Sequence, residues 1–253
     1  LYNSIILLFC HMKVNYTTVG AVKDGKYEGI VKEFMDNSLV ADLLYKNGKK
    51  NGLNKYYFPN GYIKAEVNYK DDIKEGITKE YFAEGAYGKV RKESNYKNGV
   101  LNGKETVYYT GSINYTQNYV NGVLHGDYRG YFNNGKIVTF KQYVNGKLEG
   151  PVKLLYPNVN ATLMETNYTN DKQNGSEKYF YDDGSLASET IYKDGKRVAP
   201  ITAYRKDGSK KFILFDEYKH DGYCYGKDGK KSRDFNEKEK GYSITGLMSE
   251  EVC

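Results

Sequence analysis

The segment "NYKNGVLNG" at residues 95–103 returns with small changes as "LYKNGKKNG" at 44–52, "NYVNGVLHG" at 118–126 and "QYVNGKLEG" at 142–150. Its anchor residue falls at Val22, Tyr45, Tyr69, Tyr96, Tyr119, Tyr143, Tyr168, Tyr192 and Tyr218, so successive anchors lie 23, 24, 27, 23, 24, 25, 24 and 26 residues apart. A period this short and regular restricts the chain to an array of one small supersecondary unit. Three residues after each anchor stand Gly25, Gly48, Asp72, Gly99, Gly122, Gly146, Asp171, Gly195 and Gly222. Asn-Gly or Asp-Gly between extended runs marks a two-residue hairpin, whose central residues need positive φ. Seven residues after the anchor, glycine recurs as Gly29, Gly52, Gly76, Gly103, Gly126, Gly150, Gly175 and Gly226, with Ala199 the departure. This second glycine is expected to open a strand where a side chain would crowd its neighbour.

From there a short run climbs to an aromatic pair, such as Tyr57-Phe58, Tyr81-Phe82 or Tyr131-Phe132, and a second turn follows, as in "PNG" at 59–61, "NNG" at 133–135 and "DDG" at 182–184. The returning strand alternates with period two, Ile63, Ala65, Val67 and Tyr69 against Lys64, Glu66 and Asn68. Six residues before each anchor, Leu39, Ile63, Val90, Ile113, Ile137, Thr162, Leu186 and Phe212 form an expected apolar column. The pattern predicts an all-β chain: an elongated, single-layer antiparallel β-meander of about eight to nine hairpins. Residues 21–231 form the repeat domain, 1–20 an N-terminal segment or capping strand, and 232–253 a C-terminal cap or disordered tail.

Only 39% of the 253 residues are hydrophobic while 28 are tyrosine, so apolar area must come largely from amphipathic rings, which suits a sheet wet on both faces. The formal charge of +6 is spread along the chain; it permits an acidic partner without dictating one. Cys10, Cys224 and Cys253 have no metal-ligand spacing and read as free thiols. The apolar run from Ile5 to Cys10 is too short to span a bilayer and is read first as an ordinary strand or alternative start. On that reading a cytoplasmic location is favoured; if residues 1–10 are the remnant of a signal peptide, the cell envelope or secretion is expected.

A phosphate loop, a nucleophile elbow and a His-Glu-x-x-His zinc motif are all missing from the sequence. Asp182 and Asp183 fall in a turn, and His125 and His220 in loops, so no catalytic, cofactor or metal site is expected. Binding has a stronger pattern. Lys55, Lys79, Arg129, Lys153 and Lys178 stand two residues before the first aromatic of their pairs, and so share a strand face with Tyr57, Tyr81, Tyr131 and Phe180; Tyr108 continues the aromatic column. This stripe is the candidate partner-binding surface. Glu66, Glu80, Glu93, Glu105, Glu165, Glu177 and Glu189 thread the same sheet, which argues against nucleic acid, and no pocket for a small-molecule substrate is expected.

The units "NGKLEGPVKLLYPN" at 145–158 and "NGVLHGDYRGYFNNGKI" at 121–137 resemble the MORN repeat variant found in bacteria, the repeat of the YwqK-type antitoxin or immunity family. The resemblance covers about residues 21–231. It implies a twisted β-meander with a binding or scaffolding role and carries no catalytic residues. For the antitoxin branch it implies occlusion of a protein toxin; for the wider family, attachment to anionic lipid in a peripheral-membrane or envelope scaffold. Asp72, Asp171, Ala199 and the longer unit between Tyr69 and Tyr96, with its extra "AYGKV", depart from the pattern.

Overall fold

The computed structural model describes residues 14–216 and 221–234, and all their regular structure is β-strand. Among the described residues every strand pairing is antiparallel and joins strands that are close in chain order, as expected for a meander. The chain forms two compact units, Leu1–Val100 and Leu101–Cys253. In unit 1 the strands Tyr16–Lys23, Lys26–Met35, Ser38–Lys46, Gly52–Tyr57, Ile63–Lys70, Ile73–Tyr81 and Val90–Lys97 pair in that order. Unit 2 repeats the plan, for example in Gly126–Tyr131, Ile137–Val144, Gly150–Leu155, Thr162–Thr169, Gly175–Phe180 and Leu186–Lys193.

Both residues of each two-residue turn take positive φ, as at Asn47 (52°) with Gly48 (81°), Asn98 with Gly99, Asn121 with Gly122 and Asn145 with Gly146. This is the type I′ geometry whose twist matches that of the strands it joins. Asp72 (69°) and Asp171 (66°) hold the same conformation where glycine is replaced. Their carboxylates do something glycine cannot: each accepts a backbone N–H of the preceding repeat, from Lys50 and from Leu148, at 2.7 Å.

The turns also bond to one another. In unit 1 the second turn residue donates its N–H to a carbonyl two residues beyond the preceding turn: Gly48 to Tyr27, Asp72 to Lys50 and Gly99 to Lys74. In unit 2, Gly122 bonds Leu101, Gly146 bonds Leu124, Asp171 bonds Leu148 and Gly195 bonds Gln173, all between 2.7 and 3.1 Å. A second bond falls beside these rungs. The N–H of the first turn residue meets a side-chain acceptor from the preceding repeat: Glu28 for Asn47, Glu75 for Asn98, Asn102 for Asn121, His125 for Asn145 and Glu149 for Asn170.

Two expectations about the repeat need correction. At the second glycine the constraint is mostly conformational; crowding, as expected, is met at Gly52, Gly150 and Gly226 but not at Gly29 or Gly175. Gly175 has φ of 102° and a Cβ added there would meet nothing within 4 Å; at Gly52 (95°) a Cβ would also come within 2.9 Å of Leu44 Cδ2. The positive φ lets the chain bulge between a two-residue and a six-residue strand, with Asn51 N–H returning to the Leu44 carbonyl at 2.8 Å. Gly103, Gly126 and Gly150 share this conformation.

The apolar column is not the main core either: Ile113 is exposed, most of its companions are half-buried, and only Phe212 is fully buried. These residues lie beside the four-residue turns, where the register shifts, as between Tyr56 and Tyr57 opposite Ile63. Burial falls instead on directly opposed mid-strand pairs: Val31 with Leu43, Asn54 with Val67, Thr78 with Ser94, Val152 with Thr166, and Ile201 with Leu214. Small and polar side chains thus occupy much of the core.

Cys224, 1% exposed, is disulfide-bonded, which corrects the free-thiol reading. Cys10 and Cys253, His11 and His220, the run Ile5 to Cys10, and most of both expected end segments lie outside the described residues.

Candidate binding surface

The candidate stripe is positioned by the strands that lead from the second glycine to the four-residue turns. In unit 1, Lys55 and Lys79 are not isolated cations. Each meets a carboxylate on the returning strand, Lys55 with Glu66 at 3.8 Å and Lys79 with Glu93 at 3.3 Å; Lys32 does the same with Asp42 at 3.0 Å. The aromatic residue of the next repeat then closes on that carboxylate. Tyr57 Oη donates to Asp42 at 2.9 Å and Tyr81 Oη donates to Glu66 at 2.8 Å. Burial, reinforced by the anionic acceptor, pushes both phenols up to about 12, so they remain donors at neutral pH.

Unit 2 contains the same triplet. Lys153 pairs with Glu165 at 3.6 Å, Lys178 stands opposite Glu189, and Tyr204 donates to Glu189 at 2.7 Å with its phenol likewise pushed up to about 12. Where the lysine is absent, the acid is absent too: Thr106 opposes Thr116. Arg129 opposes Phe140, sits over its ring at 5.9 Å and pairs with Asp127 at 2.8 Å. Tyr108 and Tyr131 lie opposite Ile113 and Ile137, and Phe180 opposite Leu186. The signal for these pairs was in the sequence, three residues before the anchors, at Asp42, Glu66, Glu93, Glu165 and Glu189.

The anchor tyrosines occupy the other face and serve packing. Tyr27 and Tyr45 have ring centroids 5.4 Å apart, Lys50 Nζ lies over Tyr56 and Tyr69, Lys74 Nζ lies 4.8 Å over Tyr96, and Lys141 lies over Tyr128. These cations cover ring faces that would otherwise meet water.

A further set of lysines was missed because it sits in the repeat's most regular part. Flanking the two-residue turns, Lys23 opposes Lys26, Lys46 opposes Lys49 and Lys193 opposes Lys196. Among the described residues none of these six has an ion pair.

Among the described residues no group of three His, Cys, Asp or Glu could hold a metal ion, and no helix is long and apolar enough to cross a membrane. Asp183 is a turn former: its carboxylate accepts from Ser185 N–H and Oγ, which holds its pKa below the usual carboxylate range. Asp182 is lowered by Lys206, 2.9 Å away. His125 uses Nδ1 as the turn acceptor already described.

The model of the family described as MORN repeat variant matches residues 50–71 and 173–194. Each match starts just after one two-residue turn and ends in the next. No curated protein matches the chain.

Proposed function

We propose that this chain is a non-enzymatic repeat protein whose sheet is a protein-binding surface of the antitoxin or immunity kind, inhibiting its partner by occlusion. The repeated triplet of lysine, carboxylate and tyrosine is the observation that carries this reading. It fixes long side chains in one arrangement before any partner arrives, which lowers the ordering cost of association. Beside it in unit 1 runs a row of exposed apolar residues, Ile30 (62%), Leu44 (37%), Leu53 (42%) and Ile77 (49%), which supplies apolar contact to a flat partner. MORN-type repeats serve in protein or lipid binding, and the two segments that match the MORN repeat variant support this reading.

The test is affinity capture with the purified chain from its source lysate, read by mass spectrometry. One dominant protein, lost when Leu53 and Ile77 are changed to Asp, supports the reading; capture of lipid alone sinks it.

A second reading, attachment to an anionic lipid surface, is favoured by the unpaired lysines at the turns. Like charges placed directly opposite each other cost stability, so their recurrence calls for an anionic counterpart. Binding to vesicles with anionic headgroups that fades as salt rises would support it.

A further inference from the structure

Each returning strand carries a bulge near its start, one unpaired residue where the register shifts, so the same two positions can be compared from repeat to repeat. Where Lys64, Arg91 and Asn114 fill the bulge they are exposed, and Ala65, Lys92 and Tyr115 after them are half-buried. In the last two of these strands both positions are covered: Ala187 and Ser188 are each 1% exposed, Lys211 3% and Phe212 0%. No earlier described repeat covers both.

The covered residues line up. Ser188 opposes Ala203, Ala203 opposes Phe212 and Phe212 opposes Cys224, so four adjacent strands present one row on one face, and all four residues are buried. On the next strand Arg233, opposite Cys224, is exposed. A phenylalanine on a single-layer sheet keeps one side to water unless something lies over it. The strands that follow, Asp221–Tyr225 and Lys231–Asp234, pair edge to edge and extend the sheet sideways, so neither supplies that cover.

Cys224, at the end of this row, is disulfide-bonded, and its partner is Cys10 or Cys253, the other two cysteines of the chain. Cys253 lies 29 residues downstream and Cys10 214 residues upstream, and the shorter loop is the easier to close. The last described strand also ends at Asp234, one residue past the one opposite Cys224. The 19 residues from Phe235 to Cys253 include Tyr242, Ile244, Leu247, Met248 and Val252, enough apolar side chains to cover a row of this kind.

We infer that residues 235–253 form a strap over this row, fastened by a disulfide between Cys224 and Cys253, and that reduction by a dithiol releases it. The S–S bond breaks as two electrons and two protons pass from the dithiol, leaving two cysteine thiols in this chain and a disulfide in the reductant. Oxidised, the C-terminal end of the sheet is closed; reduced, it lays bare Ser188, Ala203 and Phe212. Ala203 alternates with Tyr204, which bonds Glu189, so the row lies on the face opposite the triplets of lysine, carboxylate and tyrosine. The gate is therefore separate from the proposed binding stripe and stands or falls apart from it.

The full oxidised chain is first digested without reduction and its linked peptides are identified by mass spectrometry. A link between Cys224 and Cys253 is expected; a link between Cys10 and Cys224, or Cys224 as a free thiol, overturns the inference. Hydrogen exchange on the intact chain, before and after dithiothreitol, then reads the cover. Amides at 186–193 and 210–216 should exchange about tenfold faster or more once reduced, while those at 52–57 and 63–70 keep their rates. Cys253→Ser leaves the buried Cys224 in place and should show the fast rates without any reductant. Leu247→Asp combined with Met248→Asp should raise the rates with the disulfide intact, which separates a cover from a mere tether. Unchanged rates on reduction, in Cys253→Ser or in the double Asp variant would each overturn the strap. Lost protection at 52–57 and 63–70 as well would mean that the disulfide holds the whole fold, and would overturn the gate.

Discussion

At the scale of single residues, the acceptors that meet the two-residue turns show how a variable position can be constrained. Glu28, Glu75 and Glu149 supply carboxylates where His125 supplies a neutral nitrogen at 3.4 Å. A charged acceptor makes the stronger bond, so His125→Glu should stabilise the chain by about 0.5–1 kcal/mol, checked by urea denaturation. Tyr57 donates to Asp42, and Tyr57→Phe should cost roughly 1–2 kcal/mol by the same measurement. The pH dependence follows from the phenols. A tyrosine whose folded pKa is raised to about 12 contributes stability that is complete below its ordinary value and is lost as pH rises toward 12. Thermal melts should therefore fall steeply above about pH 10, and Tyr57→Phe should flatten that fall.

At the scale of the repeat, glycine substitutions separate conformation from crowding. Gly175→Ala meets open space, so its cost is the left-handed backbone alone, about 1–2 kcal/mol; Gly52→Ala must also displace Leu44 and should cost more. The two urea midpoints make the comparison. The hairpins were legible in the sequence because a type I′ turn demands Asn-Gly or its equivalent, and the demand recurs at every anchor. The core was not legible, because Asn54, Thr78, Ser94 and Thr166 fill it and no hydropathy pattern marks small polar residues as buried. The candidate stripe was half legible: the lysine column stood out, but its carboxylates lay on the next strand, and only the register puts Glu66 against Lys55.

At the scale of the whole molecule, pairing changes what a charge-reversal experiment reports. Lys55→Glu places like charges face to face and loses about 0–1 kcal/mol for the exposed pair, so lost binding would be ambiguous. Lys55→Glu combined with Glu66→Lys restores the pair and reverses its direction. Stability should return in the double variant, while a partner that reads the direction of charge should stay unbound, as measured by capture. The rungs between successive turns have a consequence for how such a chain changes over generations. Among the described residues each of the seven turns bonded this way takes its carbonyl from the same place in the unit before it. Copying or losing a whole unit leaves all remaining rungs with partners, whereas losing part of one strands a turn without its carbonyl. Lineages of this protein should therefore differ in length by whole repeats, and a binding surface fitted to a new partner can be lengthened without redesigning any unit already in place.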